Sequence, residues 1–97
     1  MDRSKFSPGQ IVATPGCLAA MAAAGQTPHE FLVRHISGDW GVVNTEDAEC
    51  NDTALLDGSR LFSVYSLRTG TTIWIITEAA DESDERTSTC LLLPEEY

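Results

Sequence analysis

The spacing of apolar positions changes once along the chain, at Gly58. Before it, apolar residues recur three and four apart, the period of a helix. After it, they alternate with polar residues, the period of a strand. Ahead of both lies a lead-in, residues 1–9, that reads as loose, and then "QIVATP", a short strand ending at proline. Thr14 before Pro15 pairs an N-cap residue with proline at the first helical position. "GCLAAMAAA" continues as a helix up to Gly25, with Leu18, Met21 and Ala22 expected on its buried face. The same signal returns in "TPHE": Thr27 is the expected N-cap, Pro28 the first helical residue, and Glu30 closes a capping box. The helix should run from Pro28 to about Ser37.

On that helix Phe31, His35, Leu32 and Ile36 share one face, spanning about 140°. Glu30 and Arg34, at i and i+4, lie opposite as an exposed ion pair. His35 thus falls inside the apolar stripe, where a histidine is more often a hydrogen-bonded core residue than a catalyst. Gly38 is the expected left-handed cap. Asp39, Trp40 and Gly41 form a turn, with Trp40 folding back as a lid on the core. A third helix, "TEDAECNDTALLDG", starts at Thr45 as N-cap and stops at Gly58. Its Glu46, Glu49 and Thr53 line one side, and Ala48, Leu55 and Leu56 another.

Beyond Gly58, "RLFSVYSLR" and "TTIWIITEA" flank a "TG" turn, which predicts a β-hairpin. Ile73 and Ile75 point one way and Trp74 and Ile76 the other, so the second strand should be central in its sheet. "ADESDER" is an acidic loop, and "TSTCLLLP" a third strand stopped by Pro94, expected at the sheet edge. The expected architecture is a single α+β domain over residues 1–97. It has a short N-terminal strand, three helices, and a three-stranded antiparallel meander with the helices on one face.

Charge narrows the functional classes. Fifteen acidic residues face six basic ones, a net charge of −9 on 97 residues. Such a body repels phosphate backbones, so direct nucleic-acid binding is disfavoured and a basic protein partner is favoured. No apolar run reaches the ~20 residues of a membrane helix. The N-terminus lacks a signal-peptide pattern, which points to the cytoplasm. Cys17, Cys50 and Cys90 are far apart and read as buried thiols of a reducing compartment. His29 and His35, six apart, fall on different parts of their helix, and "DESDE" lacks the glycine of a calcium loop. Neither a metal nor a cofactor is therefore expected.

Five segments, "GQIVATPG", "RHISGDWG", "LFSVY" with "WIITEA", and "LLLPEEY", together resemble a small bacterial family. Its short members carry the labels "plasmid-related protein" and "type I restriction endonuclease subunit M". The resemblance spans almost the whole chain in order; "AADESDERTS" departs from it by being longer and more acidic. The chain has no S-adenosylmethionine loop and no N-P-P-F-type motif, so the methyltransferase sense of the second label does not carry over. What the resemblance implies is a setting on plasmids and other mobile elements.

Three functions from different classes fit these residues. A non-enzymatic anti-defence inhibitor, anti-restriction or anti-CRISPR in type, would use Glu46, Asp47, Glu49 and Asp52 to imitate a phosphate backbone before a basic partner. Asp81, Glu82, Asp84 and Glu85 in the loop, and the turn Asp39–Trp40, would join them. Side chains at i and i+3 stand ~5–6 Å apart, a spacing suited to such mimicry. A barnase- or RelE-like ribonuclease would instead use His35 as base and Arg60 or Arg68 as cation, with Tyr65 and Thr72 or Thr89 orienting phosphate. An oligomeric interaction module would pair through the last strand.

Overall fold

The computed structural model describes residues 3–97. Its elements are β1 (Gln10–Ala13), α1 (Pro15–Ala23), α2 (Pro28–Ile36), α3 (Thr45–Asp57), β2 (Leu61–Ser66), β3 (Thr72–Thr77) and β4 (Ser88–Leu92), with a 3₁₀ turn at Pro94–Glu96. The expected α+β class and element order hold, but the sheet has four strands in the order β1-β4-β3-β2. The first strand joins β4 in parallel, with Ile11 opposite Thr89 and Ala13 opposite Leu91. β4 is therefore interior, which corrects its expected place at the edge. β3 is central, as its two apolar faces suggested.

The outer side of β2 is largely covered. Asn51, buried on α3, accepts from the Phe62 N–H at 3.0 Å and donates to the Phe62 carbonyl at 2.7 Å, standing in for a neighbouring strand. Next along, Val64 bonds the backbone of Trp40 and Val42. This approach requires glycine at 41: φ there is +77°, and a Cβ would overlap the Val64 carbonyl oxygen.

All three helices pack on one sheet face. Cys17 and Met21 of α1 and Phe31 and Leu32 of α2 meet Tyr65, Ile73, Ile75 and Leu91; Ala54 of α3 meets Leu61 and Trp40. Alternation sends Phe62, Val64, Trp74, Ile76, Cys90 and Leu92 to the opposite face, over which no α-helix of the described residues lies.

Several local expectations change. On α1 the buried row is Cys17 and Met21 with Ala20 and Ala24, whereas Leu18 is 45% exposed and Ala22 faces out. Thr27 makes no side-chain cap: the Glu30 N–H donates to the Thr27 carbonyl at 3.2 Å, and the Glu30 carboxylate accepts from the Gln26 side chain at 2.7 Å. Arg34 pairs with Asp39 at 2.8 Å and not with Glu30. The cap of α3 is Asn44, accepting from Asp47 N–H, one residue before Thr45. Cys50 is exposed, Cys90 half-buried, and only Cys17 fully buried. The lead-in is tied down: Lys5 N–H donates to Ile36, the Pro8 carbonyl accepts from Thr89, and Phe6 packs beside Trp40. Residues 1 and 2 of that lead-in lie outside the described residues.

Candidate functional site: an acidic flank beside a closed polar core

Of the possible catalytic residues, the structure closes off the first. His35 has zero exposure, and both of its ring nitrogens are bonded, Nδ1 to Ser63 Oγ at 2.6 Å and Nε2 to Thr77 Oγ1 at 2.8 Å. Thr77 in turn meets Thr89 at 2.7 Å, and Thr89 donates to the Pro8 carbonyl at 2.8 Å. This chain of bonds fixes the tautomer. Thr89 gives its only hydroxyl proton to Pro8, so Thr77 must give its own to Thr89. Nε2–H then donates to Thr77, and Ser63 donates to a bare Nδ1. A neutral imidazole satisfies every member. Burial, assisted by the Arg86 charge, lowers the pKa from 6.5 to about 4.

The proposed partners of such a base are elsewhere. Tyr65 is buried and donates to the Asp39 carbonyl at 2.6 Å; burial pushes its phenol up to about 12. Thr72 and Arg68 are at the hairpin end; five residues of strand, ~17 Å, separate Thr72 from Thr77. Arg60 precedes β2, with its guanidinium 5.3 Å from the centre of the Tyr97 ring. Thr89 is brought close to His35 through Thr77, and as a core hydroxyl. The arrangement holds a histidine in place and offers no open path to it.

The acidic segments behave differently. Glu46, Glu49 and Asp57 line one outward groove of α3 with Cys50, Thr53 and Ser59, and Arg60 stands at its edge. The loop between β3 and β4 abuts the end of the same helix: Ala80 N–H donates to the Gly58 carbonyl at 2.7 Å. Arg86 locks this junction with three donations, to Ser59 at 2.7 Å and to Glu78 and Ala54 at 3.0 Å, all backbone carbonyls. The carbonyl-rich end of a helix suits a cation, so the one cation of the loop turns inward. Glu82, Asp84 and Glu85 remain exposed beside it. Among the described residues the single ion pair is Arg34–Asp39, so none of these acids is neutralised by one.

Not every expected acid belongs to this flank. Asp39 accepts from Arg34 and from Gly41 N–H, and the guanidinium holds its carboxyl below the usual range. Asp52 accepts from the Trp40 indole at 3.1 Å, fixing Trp40 as the lid that was expected. Asp81 accepts from Ser83 and Glu85 N–H and shapes its own loop. Asp47 is exposed at the first turn of α3, off the outward groove.

Two groups escaped the sequence reading. Arg86 was hidden among acids, where ion pairs would be the natural assumption. The other is a cavity of about 290 Å³ on the helix-free face, lined by Arg60, Phe62, Trp74, Ile76 and Tyr97. Its only forewarning was the second apolar face of β3. Among the described residues no helix is long and apolar enough to cross a membrane. Comparison with protein-family models, with curated proteins and with solved structures finds no match to this chain.

Proposed function

We propose that the chain is a small acidic binding protein of a mobile element, acting in the cytoplasm on a basic, nucleic-acid-handling partner. It works as an inhibitor of the anti-restriction or anti-CRISPR kind, by occupying a groove meant for phosphates. One observation carries this reading. α3 and the β3–β4 loop, separate in sequence, meet at the end of the helix and both present exposed carboxylates. The loop's own cation, Arg86, is committed to backbone carbonyls, and Arg60 at the edge of the α3 groove makes no ion pair among the described residues. The resemblance to the plasmid-related family supplies the setting. Cost also favours binding: exposed carboxylates left unpaired repel one another, and a basic partner relieves that repulsion.

The test replaces Glu46, Glu49, Glu82 and Glu85 with Lys, all exposed and none part of the core. Wild type, immobilised in host lysate, should retain nucleic-acid-binding proteins that added duplex DNA releases, and the variant should retain none of them. Identical sets on both columns, or retained proteins indifferent to DNA, would sink the proposal.

A further inference from the structure

The helix-free face of the sheet is not uniformly bare. Ile76 and Leu92 are 5% and 6% exposed and form a floor. On it stand Phe62 and Trp74, edge to face with centres 5.0 Å apart, and Tyr97 meets Trp74 at 5.6 Å. The ring planes cross at 83° and 66°, and a slot of about 290 Å³ lies between them, with Tyr97, 69% exposed, forming its outer wall. Tyr97 is held there by the 3₁₀ turn before it. Glu96 accepts from the Thr14 hydroxyl and from Leu93 N–H, tying the turn to the cap of α1.

The charge at the rim is the unexpected part. Arg60 lies over Tyr97, its guanidinium making no ion pair or hydrogen bond among the described residues. It also borders the groove of Glu46, Glu49 and Asp57 without pairing there. In a chain with fifteen acids, an exposed cation held over an aromatic ring of the slot and not engaged by a carboxylate of the described residues is a donor available to a ligand. The Trp74 indole N–H likewise has no acceptor among the described residues.

We propose that this slot is a binding site for a small planar aromatic anion, its ring between Phe62, Trp74 and Tyr97 and its acid group on Arg60. Size limits the ligand: a cavity of ~150 Å³ takes one benzene ring, so this one suits one or two fused rings. Charge limits it further. Arg60 at the rim repels a cation, and the net charge of the protein repels an extended polyphosphate far more than a single acid group. A guanidinium on a carboxylate or phosphate gives paired, charge-assisted hydrogen bonds. The slot adjoins the acidic groove of α3 through Arg60, which borders both, but its aromatic walls belong to the sheet and the binding proposed here does not depend on the groove's role.

Isotope-labelled full-length protein, titrated by NMR, separates the possibilities. Indole-3-acetate and adenosine monophosphate are the anionic probes, and indole-3-acetamide is the uncharged match. An anionic probe should saturably shift the Trp74 indole resonance and the backbone of β2 and β3. The acetamide should bind roughly tenfold more weakly than the acetate. Arg60→Gln should erase that preference, and Trp74→Leu should abolish binding; if Trp74→Leu fails to fold, Arg60→Gln carries the test. Response to the acetate alone assigns an aromatic carboxylate, and to the nucleotide alone a nucleotide. No saturable shift with either anion by about 10 mM, or a preference that survives Arg60→Gln, overturns the site.

Discussion

The two faces of the sheet are both apolar, yet they treat polar groups in opposite ways. On the helix-covered face each polar side chain has a partner: His35 is shared by Ser63 and Thr77, and Thr77 by Thr89. No buried side-chain polar atom among the described residues is left unbonded. On the other face Arg60 lies over the Tyr97 ring, and neither it nor the Trp74 indole N–H makes a hydrogen bond or ion pair among the described residues. A covered face must satisfy its donors internally, because an unmade bond there costs about 1–3 kcal/mol. An uncovered face is free to keep them for something else. The contrast separates structure from binding more cleanly than residue type does, since the residue most suggestive of catalysis, His35, is on the structural side.

The sharpest way to break that contrast is His35→Ala. It leaves Ser63 and Thr77 without their shared partner and opens a cavity where a ring had zero exposure. The expected loss is about 3–5 kcal/mol, enough to unfold a marginal domain near body temperature. Thermal or urea unfolding followed by circular dichroism measures it. An unchanged melting temperature would remove His35 from the core and return it to chemistry.

Much of this was legible from residue spacing, and the failures have physical causes. Periodicity placed His35 on the buried stripe because a nine-residue helix has only one apolar side. It could not name Ser63 and Thr77, 28 and 42 residues away, because hydroxyls carry no pattern. It misplaced Leu18 because α1 is alanine-rich on every side, so its buried row is set by what the sheet offers. It put β4 at the edge because alternation reports faces, not neighbours, and the partner β1 is four residues of parallel pairing. The aromatic slot was half visible. Trp74 and Ile76 were seen to share a face, but Arg60 and Tyr97 flank it from sequence positions that no local rule joins to it.

A smaller effect sharpens the comparison through pH. The His35 pKa falls from 6.5 to about 4 on folding, so between these values the unfolded chain binds the proton and the folded one refuses it. Stability from this group is therefore complete above pH 6.5 and is lost as pH falls toward 4. From pH 7 to pH 5 the loss is about 2 kcal/mol. Carboxylates titrate mainly below that window. Unfolding free energies at both pH values should show the loss in wild type and not in His35→Gln, which cannot titrate. Equal slopes for the two proteins would place the proton elsewhere.

The smallest effect is expected on the uncovered face. Trp74→Leu keeps an apolar side chain over Ile76 and gives up two edge-to-face ring contacts, with Phe62 and with Tyr97. Such contacts contribute about 0.5–1.5 kcal/mol each at most, and half-exposure reduces that, so the expected cost is about 1 kcal/mol. The melting temperature should fall by ~4–8 °C, against a drop several times larger for His35→Ala. The order of the two values matters more than either alone. If Trp74→Leu proves as damaging as His35→Ala, the aromatic rings are a second core. Their slot would then be packing and not a place kept open for a ligand. A mild cost, with the chain still folded, is what a face built for binding permits: its rings contribute little to holding the sheet together and stay available for an incoming ring.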